Sequence, residues 1–311
     1  MCLLHDGTRL GFFLLALITH WGIAQVTAED DERFAEWKNR PFSEVQQLAK
    51  TGDPVALAAL GHFYWRGHEV EQDRQQGFAW TLKAAEAGDA RSMNIIGTCY
   101  ANGFGVERDT SQVFEWFKKS AQAGYPNAYF NLGRCYLDGI GVEPSKKEAL
   151  KWFRESAQHG DRDAQNLVAM FYMRGIGTVA DPQEASKWYQ LAADQGMANA
   201  QGDLALMYLH GDGVPKDEAK GVGLLKAAAE GGYSQGMYNL GVLYQTGQGV
   251  KLQMTEALKW YLIADALSNE PAREAAAALT EELTKIQVNQ ATREATEWLE
   301  KFAAAQSAMQ E

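Results

Sequence analysis

The sequence predicts an all-α protein, a right-handed α/α solenoid of six 36-residue helix-hairpin repeats with capping helices at both ends. Glycine recurs at a spacing of 36 residues, at Gly52, Gly88, Gly124, Gly160, Gly196 and Gly232. Tyrosine keeps the same spacing, at Tyr64, Tyr100, Tyr136, Tyr172, Tyr208 and Tyr244. A second glycine follows each tyrosine by three residues, at Gly67, Gly103, Gly139, Gly175, Gly211 and Gly247. Three coincident registers are typical of an array in which each unit buries its apolar face against the next.

Each repeat is predicted to contain two helices. The first runs from Asp53 to Trp65 in repeat one and ends at Gly67, because glycine suits the left-handed residue after a helix. The second begins behind an N-capping side chain, at Asp73, Asp109, Ser145, Asp181 and Asp217. Tryptophan in the second helix is predicted to pack inward, at Trp80, Trp116, Trp152, Trp188 and Trp260, with Leu224 in repeat five.

The first 28 residues resemble a signal peptide in composition. Arg9 precedes an apolar run that starts at Gly11, and small residues stand where a peptidase cleaving after Ala28 would read them. The alternative is an uncleaved membrane anchor, the only case in which the protein would contact a membrane. Either interpretation places the body of the chain outside the cytosol, so we expect a periplasmic or secreted protein.

The remaining chain is predicted to form a capped repeat array. Residues 29–51 form the N-terminal cap, in which Ser43–Thr51 aligns with a second helix that lacks its first. The repeats occupy residues 52–267, as 52–87, 88–123, 124–159, 160–195, 196–231 and 232–267. Residues 268–311 form a C-terminal helical hairpin that breaks the period at Asn269, with helices near Pro271–Lys285 and Gln287–Phe302.

Net charge and residue spacing argue against a nucleic-acid partner, a disulfide and a metal site. The formal charge of −11 disfavours nucleic acid as a partner, because phosphate binding needs clustered lysine and arginine. Cys99 and Cys135 hold the same place in neighbouring repeats, where helix axes stand about 8–10 Å apart. A disulfide needs Cα atoms within about 7 Å, so both are predicted to be buried free thiols. No metal site or cofactor is predicted, because the histidines lack a metal-binding spacing.

Repeat three shows a resemblance to a known family. It reads Leu132-Gly133-x-x-Tyr136-x-x-Gly139-x-Gly141-Val142 and then Ala149-x-x-Trp152-x-x-x-x-Ala157-x-x-Gly160. This string resembles the Sel1-like repeat, a longer relative of the tetratricopeptide repeat, and the match extends over about Gly52 to Leu267. Departures from this string are mild. Ala169 and Ala205 replace the inner glycine of the first helix, the position of Gly133, and in repeat one Glu69 replaces the second turn glycine, the position of Gly141.

The resemblance implies a partner-binding surface. In tetratricopeptide-type arrays the first helices line the concave side, and their outward residues form the groove. The corresponding candidates are Arg91, Asn94, Asn127, Phe130, Arg134, Asp163, Asn166, Met170, Asn199, Tyr238 and Gln245. Amide and guanidinium groups dominate the early repeats and suit a peptide backbone or carboxylates. The later repeats add the apolar residues Met173, Leu206, Leu209 and Val242, which suit either an amphipathic helix or packing inside the array.

The sequence therefore predicts a non-catalytic scaffold that binds a protein or peptide on its concave face. One alternative is a β-lactamase-like hydrolase, since some Sel1-like proteins are linked to penicillin binding. Gly232-Tyr233-Ser234-Gln235-Gly236 matches a nucleophile elbow in letters, but that motif requires a strand before the serine. Another alternative is a scaffold for the assembly of exported polysaccharide.

Overall fold

The computed structural model describes residue 37 and residues 40–308, which form fifteen α-helices and no strand. The predicted all-α solenoid is therefore confirmed, while the predicted signal peptide lies outside the described residues. The helices are α1 (Phe42–Ala49), α2 (Pro54–Arg66), α3 (Arg74–Glu86), α4 (Ala90–Asn102), α5 (Thr110–Gln122), α6 (Pro126–Asp138), α7 (Lys146–Gln158), α8 (Arg162–Arg174), α9 (Pro182–Asp194), α10 (Ala198–His210), α11 (Glu218–Glu230), α12 (Ser234–Thr246), α13 (Met254–Ala266), α14 (Glu270–Glu282) and α15 (Lys285–Ala308).

The helices keep the 36-residue spacing. The first helix of each repeat (α2, α4, α6, α8, α10 and α12) has 13 residues, and so has each second helix (α3, α5, α7, α9, α11 and α13). Within a repeat the two helices pack against each other, as in α2 with α3 and α10 with α11. Because the six repeats have helices of one length, a sequence position has the same structural place in each.

Helix starts follow capping side chains. In the second helices the predicted caps are confirmed, because side chains accept hydrogen bonds from the amides that follow at Asp73, Asp109, Ser145, Asp181 and Asp217. Three first helices also have such a cap, at Asp53, Asp89 and Asp161, which the sequence analysis did not identify. Each capped amide is one that the helix itself leaves without a partner.

Turn glycines end the first helices and bring the next turn close to the preceding repeat. The C-capping glycines are left-handed as predicted, with φ between 66° at Gly175 and 82° at Gly211. In repeats two to six, a second turn glycine follows two residues after the C-cap. A Cβ on Gly105 would overlap the carbonyl oxygen of Arg74, and a Cβ on Gly141 would overlap that of Thr110. Only glycine permits this approach between the turn and the helix start, because any side chain would collide with the backbone.

In repeats two, three and six, a deeply buried aromatic residue directly follows the tryptophan. Phe117 and Phe153 have no exposed surface, and Tyr261 is buried in the same position of repeat six. A Cβ built on the inner glycine of the first helix would lie 2.7 Å from the Phe153 ring at Gly133. The inner glycine is therefore the space into which this ring packs, a role that the sequence pattern did not reveal.

Tryptophan and tyrosine lie closer to the surface. Trp116, Trp188 and Trp260 are buried as predicted, whereas Trp80 and Trp152 are only half-buried. Lysine ammonium groups cover some of the rings, with Lys83 Nζ 3.7 Å from the Trp80 centroid and Lys119 Nζ 4.1 Å from that of Trp116. The six periodic tyrosines are all half-buried, so the register places them in equivalent environments.

The chain divides into two compact units, with the boundary between Ser156 and Ala157 inside α7. In unit 1, which ends at Ser156, each periodic tyrosine packs edge-on against an aromatic ring of the preceding second helix. The ring centroids are 5.4–5.8 Å apart in the pairs Phe42–Tyr64, Phe78–Tyr100 and Phe114–Tyr136. These pairs fix successive repeats of unit 1 to one another.

The N-terminal half-repeat α1 packs against α2. Glu69 has a left-handed φ of 56°, and its Oε2 accepts a hydrogen bond of 2.8 Å from the backbone amide of Phe42. The residue that replaces a turn glycine therefore caps the start of α1 from the next repeat. This contact explains why the departure from glycine is compatible with the fold.

The C-terminal end of unit 2 corrects the sequence interpretation. The period was predicted to break at Asn269, but α14 begins 36 residues after α12 and has the same length. The period breaks only after Glu282, because the extended Leu283 replaces the left-handed glycine and α15 starts at Lys285. Both α14 and α15 pack against α13.

The cysteines are buried and free, as predicted. Neither Cys99 nor Cys135 has exposed surface, and they form no disulfide. Burial raises the pKa of the Cys135 thiol to about 12 and that of Cys99 further. Both therefore act as small apolar core residues.

Candidate partner-binding surface

The candidate surface follows the first helices and has one strip in each unit. The N-terminal strip comprises the unit 1 candidates Arg91, Asn94, Asn127, Phe130 and Arg134. The C-terminal strip comprises the unit 2 candidates Asp163, Asn166, Met170, Asn199, Tyr238 and Gln245. The two strips differ in how much of each side chain reaches solvent.

Two residues of the N-terminal strip are largely buried. Asn94 is 8% exposed, and its Oδ1 accepts a 2.9 Å hydrogen bond from Nδ2 of Asn131, which links α4 to α6. Arg134 is 7% exposed. These two side chains therefore contribute mainly to the interior of unit 1, and little of their surface can reach a partner.

The electrostatics of Arg134 follow from that burial. Burial lowers the pKa of its guanidinium, and the charge of Asp138 one turn later opposes the shift. Burial in turn raises the pKa of the Asp138 carboxyl, which the arginine charge opposes. The same register holds His62 in repeat one and Thr98 in repeat two, and both are buried. Unit 1 thus has a buried polar row that the sequence analysis did not anticipate.

The other residues of the N-terminal strip are more accessible. Asn127 is exposed, and its Nδ2 donates a 3.3 Å hydrogen bond to the Tyr125 hydroxyl. Arg91 and Phe130 are half-buried, and the Phe130 ring packs against Phe153 with centroids 5.3 Å apart. The accessible part of this strip is therefore small.

The C-terminal strip is more open, beginning on α8. Asp163 is exposed, while Asn166 and Met170 are half-buried. Oδ1 of Asn166 is buried and has no hydrogen-bond partner among the described residues. Burial, followed by the charge of Asp161, raises the pKa of the Asp163 carboxyl. Amide, carboxyl and thioether groups thus occur together on α8.

Helices α10 and α12 continue this strip with uncharged groups. Asn199 is half-buried, and its Oδ1 accepts from the Ala200 amide at 2.9 Å. The Tyr238 ring lies 5.6 Å from that of Tyr261, whose hydroxyl donates a 2.6 Å hydrogen bond to Oε1 of Gln245. Buried Tyr261 thereby holds both strip residues of α12 in place.

The apolar candidates divide into surface and core. Met173, Leu206 and Val242 are half-buried. Leu209 is only 2% exposed, because it packs against α11 where Gly221 leaves room. Leu209 therefore belongs to the core of unit 2, whereas the other three can contribute to a surface.

A hydrogen-bonded pair beside the strip, buried Tyr189 and half-buried Asp203, escaped the sequence analysis. The pKa of Tyr189 is raised well above its ordinary value, first by burial and then by the charge of Asp203, to which it is hydrogen-bonded. Asp203 is the acidic residue of α10 and connects it to α9. A single acidic residue in an otherwise neutral helix was the available signal.

The nucleophile-elbow motif at Ser234 lies in a helical context. Ser234 begins α12 after a left-handed turn at Gly232 that follows helix α11, so it lacks the preceding strand of a nucleophile elbow. Within residues 40–308, no three His, Cys, Asp or Glu side chains come together as a metal site needs. None of the described helices has the length and apolar character of a membrane-crossing segment.

Comparison with known structures yields helical repeat proteins. A Sel1 repeat protein from Oxalobacter formigenes is 28% identical over 76% of this chain and 96% of its own, with a TM-score of 0.60. A protective antigen of uropathogenic Escherichia coli with an SLR fold is 23% identical over 86% of this chain and 81% of its own, with a TM-score of 0.45. A putative Sel1 repeat protein from Klebsiella pneumoniae subsp. pneumoniae is 21% identical over 65% of this chain and 98% of its own, with a TM-score of 0.39.

A comparison with curated proteins returns no match. The family model described as the Sel1 repeat matches six consecutive segments, residues 54–89, 90–125, 126–161, 162–197, 198–233 and 234–264. These segments begin with the first helices described above, from Pro54 in α2 to Ser234 in α12. The chain belongs to the Sel1 repeat family.

Proposed function

We propose that this protein is a non-catalytic scaffold that binds a protein or peptide partner along the C-terminal strip. Sel1 repeat proteins commonly serve as protein–protein interaction scaffolds, and this chain has their fold. A scaffold needs a rigid surface with accessible polar and apolar groups, and α8, α10 and α12 present both. The formal charge of −11 favours a protein or peptide over a nucleic acid.

The observation that carries this proposal is the amide of Asn166. Its buried Oδ1 has no donor among the described residues, and a buried acceptor without a partner costs about 1–3 kcal/mol. Asn166 as a whole is half-buried, so rotation of its amide toward the surface would bring this oxygen to a backbone N–H of a bound peptide. Met170 stands one helical turn away and offers an adaptable apolar contact beside it.

Helices α10 and α12 continue the surface that begins on α8. Asn199 has the place on α10 that Asp163 has on α8, and Tyr238 has the place on α12 that Asn166 has on α8. A partner crossing these helices would meet the amides of Asn166 and Asn199 and then the ring of Tyr238. The partner we expect is an extended peptide or an amphipathic helix.

The test uses variants that leave the core intact. We would change Asn166 and Asn199 together to alanine, and change Gln183 and Gln190 of α9 to alanine as the matched control. Chemical cross-linking in an envelope extract, followed by mass spectrometry, identifies the partner and the helices that contact it. The proposal predicts loss of that partner from the asparagine variant alone, and equal recovery by both variants would reject it.

We also propose that the protein acts in the periplasm or as a secreted protein, cleaved after Ala28. The apolar run behind Arg9 and the small residues before Ala28 support this location. Amino-terminal sequencing of the protein from its native cell is the test. A mature chain starting at Glu29 supports cleavage, and an intact first residue in a membrane fraction supports the anchor.

A further inference from the structure

A pair of amides joins adjacent first helices in unit 1, and unit 2 has the counterpart of this pair with one change. Nδ2 of Asn131 on α6 donates a 2.9 Å hydrogen bond to Oδ1 of Asn94 on α4. Asn166 on α8 and Asp203 on α10 hold the equivalent positions two repeats later, in unit 2. A carboxyl group therefore replaces the amide that donates in unit 1. We call Asn166 and Asp203 the acceptor pair.

The replacement removes the donor that the asparagine oxygen has in unit 1. An ionised carboxylate only accepts hydrogen bonds, so Asp203 cannot donate to Asn166 as Asn131 donates to Asn94. Oδ1 of Asn166 is accordingly buried without a hydrogen-bond partner among the described residues. Both members of the acceptor pair are half-buried, so each side chain keeps some accessible surface. Two acceptors thus occupy positions whose counterparts in unit 1 are within hydrogen-bond distance of each other.

A neutral donor and an aromatic ring accompany the carboxylate of Asp203. The hydroxyl of buried Tyr189 is hydrogen-bonded to this carboxylate, and because a hydroxyl is neutral the carboxylate keeps its charge. The charge of Arg174 also acts on Tyr189, but less than that of Asp203. A Cβ on the preceding residue, Gly202, would lie 2.6 Å from the Tyr233 ring, so this ring packs next to the acceptor pair. An aromatic ring beside a carboxylate favours a cation.

The surface around the acceptor pair has few cations of its own. Helices α10 and α12 contain no lysine or arginine, and α8 has arginine only at its two ends, Arg162 and Arg174. The exposed Asp163 adds a second carboxyl group to the C-terminal strip. This strip therefore complements a positively charged ligand, in agreement with the formal charge of −11.

We infer that the acceptor pair holds a cationic side chain, lysine or arginine, of the bound peptide. An ammonium has three N–H donors and a guanidinium has five, so either group can donate to Asn166 and Asp203 together. An amide oxygen accepts two hydrogen bonds, so a backbone N–H of the same peptide can share the oxygen of Asn166. The inference rests on the proposed function and deepens it, because it names the chemistry that the partner brings to α8 and α10.

Peptide pools test this preference without knowledge of the partner. Four pools of immobilised nonapeptides have a fixed central residue and random flanks, with lysine, arginine, acetyllysine or citrulline at the centre. Binding of the full-length protein is measured by biolayer interferometry. We expect the lysine or the arginine pool to bind at least about fivefold more tightly than its uncharged counterpart, because charge-assisted hydrogen bonds are stronger than neutral ones. This comparison uses the unaltered protein and does not depend on the folding of a variant.

Two variants locate the preference on the protein. Asp203→Asn recreates the amide pair of unit 1 and leaves an acceptor for the Tyr189 hydroxyl, so the fold should be kept. The preference for the charged pool should fall to about twofold or less. Asp212→Asn is the matched control, since it also removes one negative charge and lies at an exposed position in the turn after α10. It should keep the preference of the unaltered protein, and circular dichroism checks that both variants are folded.

The outcomes distinguish this inference from the proposed function. Loss of the preference in Asp203→Asn but not in Asp212→Asn supports the acceptor pair as a cation site. Pools that bind equally with charged and uncharged centres overturn the inference and leave peptide binding by the strip intact. A preference that Asp203→Asn retains overturns it as well. If no pool binds, the inference is rejected, whereas the proposed function is judged by its own cross-linking experiment.

Discussion

Replacing Gly133 by alanine tests the packing of a ring against the glycine of the first helix, which occurs in repeats two, three and six. The new Cβ would lie 2.7 Å from two carbons of the Phe153 ring, whereas carbon atoms in contact prefer about 3.5–4.0 Å. The ring has no exposed surface, so it cannot swing into solvent. Overpacking of this kind costs about 1–3 kcal/mol, while alanine gains about 0.5–1 kcal/mol over glycine within a helix. We expect a net loss of about 1–2 kcal/mol in the free energy of unfolding, since the clash outweighs the gain in helix propensity.

Repeat five supplies the compensating change. It has Ala205 and Leu225 at the positions of Gly133 and Phe153, and both are fully buried. Alanine is accommodated opposite leucine in repeat five, and repeat four has Ala169 with the buried Tyr189 at these positions, so the loss at Gly133 measures how closely the Phe153 ring packs on the glycine itself. Adding Phe153→Leu to Gly133→Ala should recover at least about 1 kcal/mol relative to the sum of the two single changes, as expected for residues in contact.

Urea unfolding followed by far-ultraviolet circular dichroism measures all four forms of this cycle. Gly223→Ala in α11 is the control, because a Cβ there meets nothing within 4 Å. It should be neutral or stabilising by about 0.5–1 kcal/mol. The packing explanation fails if Gly133→Ala is as stable as this control, or if the two changes at Gly133 and Phe153 are simply additive.

Three further predictions concern the N-terminal cap and the buried acids. Glu69→Gln should speed hydrogen exchange in α1, at a local cost of about 1 kcal/mol. The reason is that the carboxylate that accepts from the first amide of α1 becomes a neutral acceptor. The control Glu71→Gln should leave hydrogen exchange in α1 unchanged. Cys99 and Cys135 should resist a thiol reagent at about pH 8 until denaturant is added, because burial keeps them protonated. Stability should fall as pH rises above about 9, since the unfolded chain loses thiol protons near their ordinary pKa of 9.0 while the folded chain keeps them. Tyr189 should steepen the loss of stability above the ordinary tyrosine pKa of 10.0 for the same reason. Equal urea midpoints at neutral and alkaline pH would contradict this prediction.

Much of the fold could be predicted because the determinants of helix ends are local. Asp73 caps α3 through amides within three residues of it, and Gly67 ends α2 through its own left-handed backbone. Such features need no knowledge of distant contacts. Helix α14 was predicted near Pro271–Lys285, but its place in the period was not recognised, because Leu283 stands where the other repeats have glycine and no tyrosine marks its end.

The candidate site was harder to predict. The family resemblance placed the candidates along the first helices, but it could not give the depth of each residue. Asn94 and Arg134 are buried. Asn166 and Tyr238 hold the same position of the repeat as Asn94, but they retain accessible surface. The difference depends on which side chains the adjacent repeats place beside them, such as Asn131 beside Asn94.

The sequence by itself determined the repeat period and the helix boundaries over residues 52–267 and the absence of a bridge between Cys99 and Cys135, because each follows from local backbone preferences and a fixed spacing. Only the tertiary structure decided that Glu69 caps α1, that Phe153 fills the space at Gly133 and that α15 covers α13 while Leu191 stays exposed. These contacts join residues from different helices, and their distances depend on how helices pack, which a one-dimensional period does not specify.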